Sequence, residues 1–314
     1  MLQEQTYFCS SMVNYSPKSW RYLVSHSYSR HVMRTLRPAL LFMVVYAAGI
    51  CLLFFQVLHV RDEDFHSTTA MHSLLGIVLG LFLVFRTNTA YDRWWEGRKL
   101  WGSLVNNTRN LALKINGFLP IANLREREWF SYMIPNLAVA LRDHLRDRRD
   151  VSSLKFADAD STNALTSFNH LPNGVMAQLY LRANELYRNQ QLSGDQLLLV
   201  DRELKEFTDV CGACERIKNT PIPYSYSMYI KKFVVIYLLT LPFGFVTELH
   251  YWTIPIVLLI SFVLLSVELI AEEIEEPFGE DSNDLPTDAL AVKIREDVRE
   301  ILLGKLHQDS GQDH

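Results

Sequence analysis

Apolar residues are concentrated in four runs, two near each end of the chain, with a long polar stretch between them. The first run, 38–60, contains no Asp, Glu, Lys or Arg. At about 1.5 Å per residue it is long enough to cross a hydrocarbon layer about 30 Å thick. The second, 72–85, reaches that length only with the more polar residues 67–71 before it. The last two, 233–246 and 252–267, are separated by a short connection. The pattern predicts four transmembrane helices, of which the last two form a hairpin.

Each of the first three apolar runs has basic residues next to one of its ends. By the positive-inside rule, such Lys and Arg clusters mark the cytoplasmic ends of transmembrane helices. We therefore expect a multi-pass inner-membrane protein with both termini and the long middle in the cytoplasm. The turn between the first two runs is acidic instead, which places it outside. The basic residues are Arg30, Arg34 and Arg37 before the first run, Arg86, Arg93, Arg98 and Lys99 after the second, and Lys231 and Lys232 before the third; the acidic ones are Asp62, Glu63 and Asp64.

The polar middle repeats its apolar residues at helical spacing, as in Trp101, Leu104 and Leu111, so it is predicted to be a helical cytosolic domain. Within it, residues 151–175 are polar and rich in turn formers and are predicted to join two helices. Thr287 follows Pro286 and is predicted to cap a last amphipathic helix. The chain is thus expected to be an all-α membrane protein divided into a cytosolic N-terminal segment (1–37), transmembrane helices 1 and 2 (38–89), the cytosolic domain (90–230), transmembrane helices 3 and 4 (231–272), and an acidic turn with a C-terminal helix (273–314).

Composition agrees with this division. The 314 residues are 49% hydrophobic and 21% charged, with a mean hydropathy of only +0.02, because the membrane runs and the polar middle average out. The 13 Gly, 11 Pro and 4 Cys are too few for a collagenous chain or a disulfide framework. A net charge of −4 gives no electrostatic support for a nucleic-acid partner.

The second apolar run has a distinctive spacing. Gly76 and Gly80 form a Gly-x-x-x-Gly pair, which allows close approach of a neighbouring helix. Ile77, Leu81 and Phe85 lie four residues apart and fall within one apolar stripe. If several copies of this helix surrounded an axis, the three side chains would form apolar rings, and a narrow apolar constriction gates ions by dewetting. Spacing alone favours the simpler interpretation, contact with lipid or with a neighbouring helix.

Cys211-Gly-Ala-Cys214 has the spacing of a redox dithiol or of half a zinc site. The other two cysteines are Cys9 and Cys51, so no second pair completes four zinc ligands. The motif also lacks the strand-helix-strand context of thioredoxin-like proteins. We interpret the two as buried, reduced thiols.

The fourth run ends in a series of carboxylates from Glu268 to Asp284. The spacing does not fit an EF-hand loop: with Asp281 as position one, Leu285 stands at position five and no Gly follows at position six. A solvated acidic turn that pairs with nearby Arg is the default interpretation. No phosphate-binding loop, nucleophile triad or His-x-x-x-His zinc pattern is apparent, so the sequence predicts neither an enzyme nor a cofactor.

Three stretches resemble the bestrophin family in its bacterial branch. They include Arg93-Trp94-Trp95, Ile222-Pro223 and the segment from Pro277 to Asp281. The resemblance implies a homopentamer in the lipid bilayer, each chain giving four transmembrane helices and a helical cytosolic part, around one central pore. It also implies a narrow neck lined by Ile77, Leu81 and Phe85, which reverses the interpretation from spacing alone.

The family has a second constriction at the cytosolic exit, commonly one apolar residue per subunit. The resemblance places this position at Asp195, or at Gln196 if the register shifts by one, and neither residue is apolar. A ring of Asp195 carboxylates would attract cations, whereas Gln196 amides would be neutral. The alternative is that Asp195 simply caps a helix beginning at Gln196. Vertebrate relatives bind calcium in the acidic turn; Asp281 and Asp284 match acidic positions of that site, but Glu273 and Glu276 replace amides, so calcium control is not expected.

The leading hypothesis is therefore a pentameric channel for monovalent ions, with cations such as sodium favoured by the resemblance, by the net acidity and by Asp62, Glu63 and Asp64 at the outer mouth. An anion channel for chloride is the closest alternative. A membrane thiol oxidoreductase using Cys211 and Cys214 is another, and a scaffold that docks a partner on its cytosolic helices is a third.

Overall fold

The structure, a computed structural model, describes residues 27–59, 68–157 and 159–304. Within these ranges the regular structure is entirely helical, as predicted. Short helical turns of other types follow α1, at Leu53–Val57, and separate α7 from α8, at His250–Trp252. The α-helices are α1 (Ser27–Leu52), α2 (Thr69–Phe118), α3 (Leu124–Leu145), α4 (Ala159–Thr166), α5 (Leu171–Arg188), α6 (Gly194–Asn219), α7 (Tyr224–Leu249), α8 (Thr253–Glu275) and α9 (Thr287–Leu303).

The described residues form two compact units. The apolar-helix unit contains residues 27–59, 68–94 and 221–276. Three helical stretches are long and apolar enough to cross a membrane by length and composition: His31–Val57, Thr69–Phe118 and Tyr224–Glu275. The last of them comprises α7, the turn at His250–Trp252 and α8. Helix α7 runs three residues further than the apolar run predicts, because Thr247–Leu249 remain helical before the positive φ of 51° at His250 breaks the helix.

Interlocking apolar side chains hold the apolar-helix unit together. Helix α8 packs against α1 and α7, and α1 also contacts α7. One core cluster combines Met43 and Ala47 of α1 with Leu79 and Leu83 of α2 and with residues of α7 and α8. A second cluster surrounds Cys51 and Phe54 at the end of α1. Many other apolar side chains of these helices remain exposed, as expected of helices that face lipid or further chains.

The polar-helix unit contains residues 95–157, 159–220 and 277–304. Its central helix is α3, in which almost every residue from Trp129 to Leu145 is buried. Helix α3 packs against α9 and α5, and α5 packs against α6. Charged pairs connect the helices, including Lys114 with the buried Glu203 at 2.6 Å and Arg109 with Asp297 at 2.6 Å. The C-terminal helix therefore belongs to the same unit as the middle of the chain, a grouping that periodicity does not reveal.

Two local predictions differ from the structure. The connection at 151–175 contains a helix of its own, α4, and α5 already begins at Leu171, so this polar segment is more regular than its composition indicates. Thr287 is the first residue of α9 and does not cap it; Pro286 stands at the cap. The Thr287 hydroxyl instead accepts a hydrogen bond from Arg146 Nη2 at 2.9 Å, because Arg146 reaches across from the end of α3.

Candidate functional site

The three predicted neck residues lie on one exposed face of α2. Ile77, Leu81 and Phe85 are 72%, 56% and 53% exposed in the isolated chain. The opposite face of the same helix is packed, with Leu79 completely buried and Leu83 nearly so. The first part of α2 thus has one face in the core of the apolar-helix unit and presents a line of large apolar side chains on the other. This arrangement leaves the three side chains available to meet further copies of the chain.

The two glycines of this helix differ in their surroundings. A Cβ atom on Gly76 would stand 2.7 Å from the hydroxyl oxygen of Tyr237, so α7 approaches α2 closely at this point. A Cβ atom on Gly80 would meet nothing within 4 Å in the described chain. Gly76 is therefore a contact position between α2 and α7. The packing role of Gly80 stays a prediction that concerns contacts outside this chain.

A buried charge cluster lies directly after Phe85. Arg86 is 1% exposed, and its Nη2 lies 2.7 Å from Glu275 Oε2 while its Nε lies 3.7 Å from Glu268 Oε1. Both carboxylates belong to α8. Glu275 Oε1 also accepts from the backbone N–H of Ile222 at 3.1 Å, and its carbonyl oxygen accepts from Arg93 Nε at 3.0 Å. These bonds join α2, α8 and the residues just before α7 at one point of the apolar-helix unit.

The prediction of a solvated acidic turn is wrong for Glu268, which is 7% exposed. Its helical position turns it inward towards Arg86, which in the sequence indicates only the cytoplasmic end of an apolar run. The sequence did contain a signal for this pairing, namely an arginine directly after one apolar run and carboxylates at the end of another. Further along, Glu280 pairs with the exposed Arg148, and the backbone N–H of Asp281 donates to Asp284 Oδ2 at 2.6 Å. The expectation that Asp281 and Asp284 do not confer calcium control stays a prediction.

The start of α6 corrects the capping alternative for Asp195. The cap is Ser193, whose Oγ accepts from the backbone N–H of Gln196 at 3.2 Å while Gln196 Oε1 accepts from the N–H of Ser193 at 2.9 Å. This reciprocal capping box occupies the side-chain oxygen of Gln196. Asp195 lies in the first turn and is exposed. The helix begins two residues earlier than expected because Gly194 is already helical.

The outer-mouth candidates Asp62, Glu63 and Asp64 lie outside the described residues.

Cys211 and Cys214 are buried, free cysteines on α6, as predicted. Burial, with the nearby carboxylate of Glu215, raises the pKa of the Cys211 thiol to about 12. Burial also raises the pKa of Cys214, to which the proximity of Cys211 and Glu215 contributes. Because thiol chemistry proceeds through the thiolate, both groups are unreactive at neutral pH.

We therefore expect a thiol-modifying disulfide reagent at neutral pH to leave both cysteines unmodified in the folded protein. Denaturing the protein should expose them and restore ordinary reactivity, which serves as the internal control. Counting modified thiols by mass spectrometry checks this prediction. Rapid modification of Cys211 or Cys214 in the folded protein would contradict it and would favour the oxidoreductase alternative.

A second polar cluster joins three elements of the polar-helix unit. His144 is at the end of α3, His170 caps α5, and Glu215 is on α6. His144 Nε2 and His170 Nε2 lie 2.9 Å and 2.6 Å from the same carboxylate oxygen, Glu215 Oε1. The two imidazole rings are tilted, with centroids 4.2 Å apart. The sequence does not reveal this cluster, because its members are separated by 26 and 45 residues and match no short motif.

The electrostatics of the cluster follow from its burial and its mutual contacts. Burial lowers the pKa of His144, and the charge of His170 acts in the same direction, while Glu215 opposes both. Burial alone would raise the pKa of Glu215, but hydrogen bonds and charges from His170 and His144 outweigh it, so that pKa is lowered. Glu215 is therefore a carboxylate at neutral pH.

A known protein family matches most of this chain. The family described as "Bacterial/Fungal Bestrophin protein" matches residues 11–300.

The chain belongs to the bestrophin family.

Named relatives support this assignment across much of the chain. The "Voltage-dependent anion channel-forming protein alr2987" of Nostoc sp. is 43% identical over 233 residues, covering 72% of this bestrophin and 75% of the relative. The "Voltage-dependent anion channel-forming protein YneE" of Escherichia coli K12 is 34% identical over 74% of this chain and 76% of its own length. These names describe anion channels and give no support to the predicted preference for cations.

Solved structures agree with the fold. A bacterial bestrophin homologue from Klebsiella pneumoniae, phased on zinc, is 29% identical and aligns with 84% of this bestrophin and 97% of its own chain, with a TM-score of 0.76. A single-substitution variant of a Klebsiella pneumoniae homologue is 28% identical and aligns with 85% of this bestrophin and 99% of its own chain, with a TM-score of 0.78. The helical architecture of this bestrophin is thus shared with crystal structures of the family.

Proposed function

We propose that this bestrophin is a homopentameric channel that conducts monovalent ions through an apolar neck formed by Ile77, Leu81 and Phe85. The observation that carries the proposal is the exposed apolar face of α2, which lies opposite a well-packed face of the same helix. Five copies of this face around an axis would give three successive apolar rings. Such rings do not replace an ion's hydration shell, so passage depends on how wide and wet the neck becomes.

The remaining geometry of the channel completes the proposal. Each subunit crosses the inner membrane four times, through α1, the first part of α2, α7 and α8. An even number of crossings puts both termini on the same side, and the basic residues that flank the helices make this the cytoplasmic side. Asp62, Glu63 and Asp64 contribute negative charge at the outer mouth, and α6 contributes the cytosolic exit. The relatives' names and the family membership support an ion-conducting function.

Two experiments test this function directly. The mass of the purified assembly in detergent should correspond to five chains. In planar bilayers under a salt gradient, with sodium and chloride substituted in turn, the pure protein should carry current. A protein that is pentameric but conducts no ions would contradict the channel and would favour the scaffold alternative.

The exit is proposed to favour cations through Asp195. This side chain is exposed in the first turn of α6, and the capping role there is filled by Ser193 and Gln196. A monovalent ion about 4 Å from one carboxylate gains about 1 kcal/mol even in water, and five carboxylates in a narrow exit act together. Gln196 is the less suitable exit residue because its side-chain oxygen is engaged in the capping box.

Replacing Asp195 with Asn is expected to lower the sodium-to-chloride permeability ratio several-fold, because the ring loses its charge while its size is kept. The reversal potential under asymmetric sodium chloride measures this ratio. Asp209→Asn is the matched control, since it removes the same charge from an exposed position of the same helix. An unchanged reversal potential in Asp195→Asn would show that Asp195 does not line the exit.

An anion channel is the second candidate, favoured by the names of the relatives. It predicts that the wild-type reversal potential follows the chloride gradient. In that case the neck assignment would stand, because apolar rings do not select by charge, while the role of Asp195 in selectivity would be withdrawn.

A further inference from the structure

The cluster of His144, His170 and Glu215 contributes no residue to the proposed neck or exit. Its three donor atoms lie within 4.8 Å of one another, and they come from three different elements of the polar-helix unit. Two imidazoles converge on one carboxylate oxygen, and the three side chains are about one-third exposed. The site is therefore reachable from solvent, and each of its three side chains is positioned by a different helix or helix cap.

The donor set is that of a transition-metal site. Two imidazole nitrogens and one carboxylate oxygen are ligands that zinc binds at about 2.0–2.2 Å, often with water in the remaining position. In a tetrahedral site with such bonds the donor atoms stand about 3.3 Å apart. The present separations of 2.9 Å and 2.6 Å therefore need to open by less than about 1 Å. Calcium and magnesium fit poorly, because they require more oxygen ligands.

Metal binding at this site requires the proton of the His170 ring to move from one nitrogen to the other. His170 Nδ1 accepts a hydrogen bond from the backbone N–H of Asn173 at 3.1 Å, so in the metal-free neutral ring the proton is on Nε2, where it is donated to Glu215. A metal on Nε2 moves that proton to Nδ1, and the cap of α5 loses this bond. The loss of a cap is a small effect beside the formation of a structural zinc site.

We infer that His144, His170 and Glu215 form a binding site for a divalent transition metal of the zinc class that links α3, α5 and α6. A bound ion joins the end of α3 to the start of α5 and to α6. It replaces two hydrogen bonds by coordinate bonds to residues that are distant in sequence. The site shares no residue with the neck or the exit, so it stands independently of the proposed ion path.

The experiment uses the full-length protein, purified in detergent and freed of metal by a chelator. Isothermal titration with zinc is expected to show one tight site per chain, and zinc is expected to raise the midpoint of thermal unfolding. Cobalt, as a spectroscopic substitute, should give the absorption of a four-coordinate site. Glu215→Gln and His144→Gln should each weaken binding at least about 100-fold, because each removes a direct ligand.

Two variants control for incidental binding. Glu206→Gln makes the same change on an exposed position of α6, and His31→Gln removes the histidine of another His–Glu pair, His31 with Glu273 at 3.5 Å. Both should bind zinc as the wild type does. The mass of the assembly and its helical content are measured for every variant without metal, so that a folding defect is recognised. Absence of a stoichiometric site in the wild type, or equal affinity in a folded Glu215→Gln, would overturn the inference.

Discussion

Replacing Ile77, Leu81 and Phe85 together with alanine is expected to increase ion flux through this bestrophin substantially. The three side chains form the proposed neck, and a smaller side chain both widens the passage and lowers its hydrophobic surface, so that water fills it more readily. If the barrier falls by about 1.4 kcal/mol, the flux rises about tenfold. Flux measured on protein reconstituted in liposomes, normalised to the amount of assembled protein, gives the comparison.

The control for this variant removes similar side chains from another exposed apolar face. Leu41, Phe42 and Val45 of α1 are 55%, 58% and 71% exposed, comparable to the neck residues. Their simultaneous replacement by alanine should leave the flux unchanged, because α1 is not proposed to line the pore. Unchanged flux in the neck variant, with the assembly intact, would rule out these residues as the gate.

Replacing Arg86 with methionine is expected to destabilise the protein by about 3–5 kcal/mol. The substitution keeps much of the side-chain volume but leaves the buried Glu268 and the partly buried Glu275 without the Arg86 cation, and an uncompensated buried charge is far more costly than the loss of a surface pair. The change should appear as a lower midpoint of thermal unfolding of the detergent-purified protein. The result would also show that the residue following the neck holds α2 against α8.

Two further variants separate charge from packing. Lys99→Met removes a positive charge from an exposed position of α2 and should have little effect. Combining Arg86→Met with Glu268→Met and Glu275→Gln should restore most of the stability, since no unpaired charge remains and Gln can still accept from the N–H of Ile222. If the single Arg86→Met variant unfolds at the wild-type temperature, the cluster is not a stabilising contact.

Much of the helical architecture was predictable from the pattern of apolar residues. The first, third and fourth apolar runs become α1, α7 and α8, and the periodic polar segments become helices of the polar-helix unit. The pattern failed at helix ends, since capping depends on single hydrogen bonds. Ser193 and Gln196 form a box that fits their sequence spacing, yet Asp195 offered an equally plausible cap. Thr287 was the predicted cap of α9, but its hydroxyl instead accepts a hydrogen bond from Arg146, a residue 141 positions away.

The side-chain clusters needed the tertiary structure. Spacing on one helix identified Ile77, Leu81 and Phe85 as a stripe, but only folding showed that the packed face of α2 lies opposite and leaves that stripe exposed. Arg86 is a topological marker in the sequence, and its pairing with Glu268 and Glu275 appears only when α8 lies beside α2. The histidine–glutamate cluster around Glu215 carries no local signal at all.

The sequence by itself determined the helical class, the apolar segments and the family resemblance, because these depend on hydrophobic periodicity and on short motifs that are contiguous along the chain. The tertiary structure decided which carboxylates are buried, which cap begins α6 and which histidines meet. The reason is physical: apolar burial is roughly additive along a segment, whereas an ion pair or a ligand set requires specific atoms within a few ångströms, and that proximity exists only when distant helices have packed together.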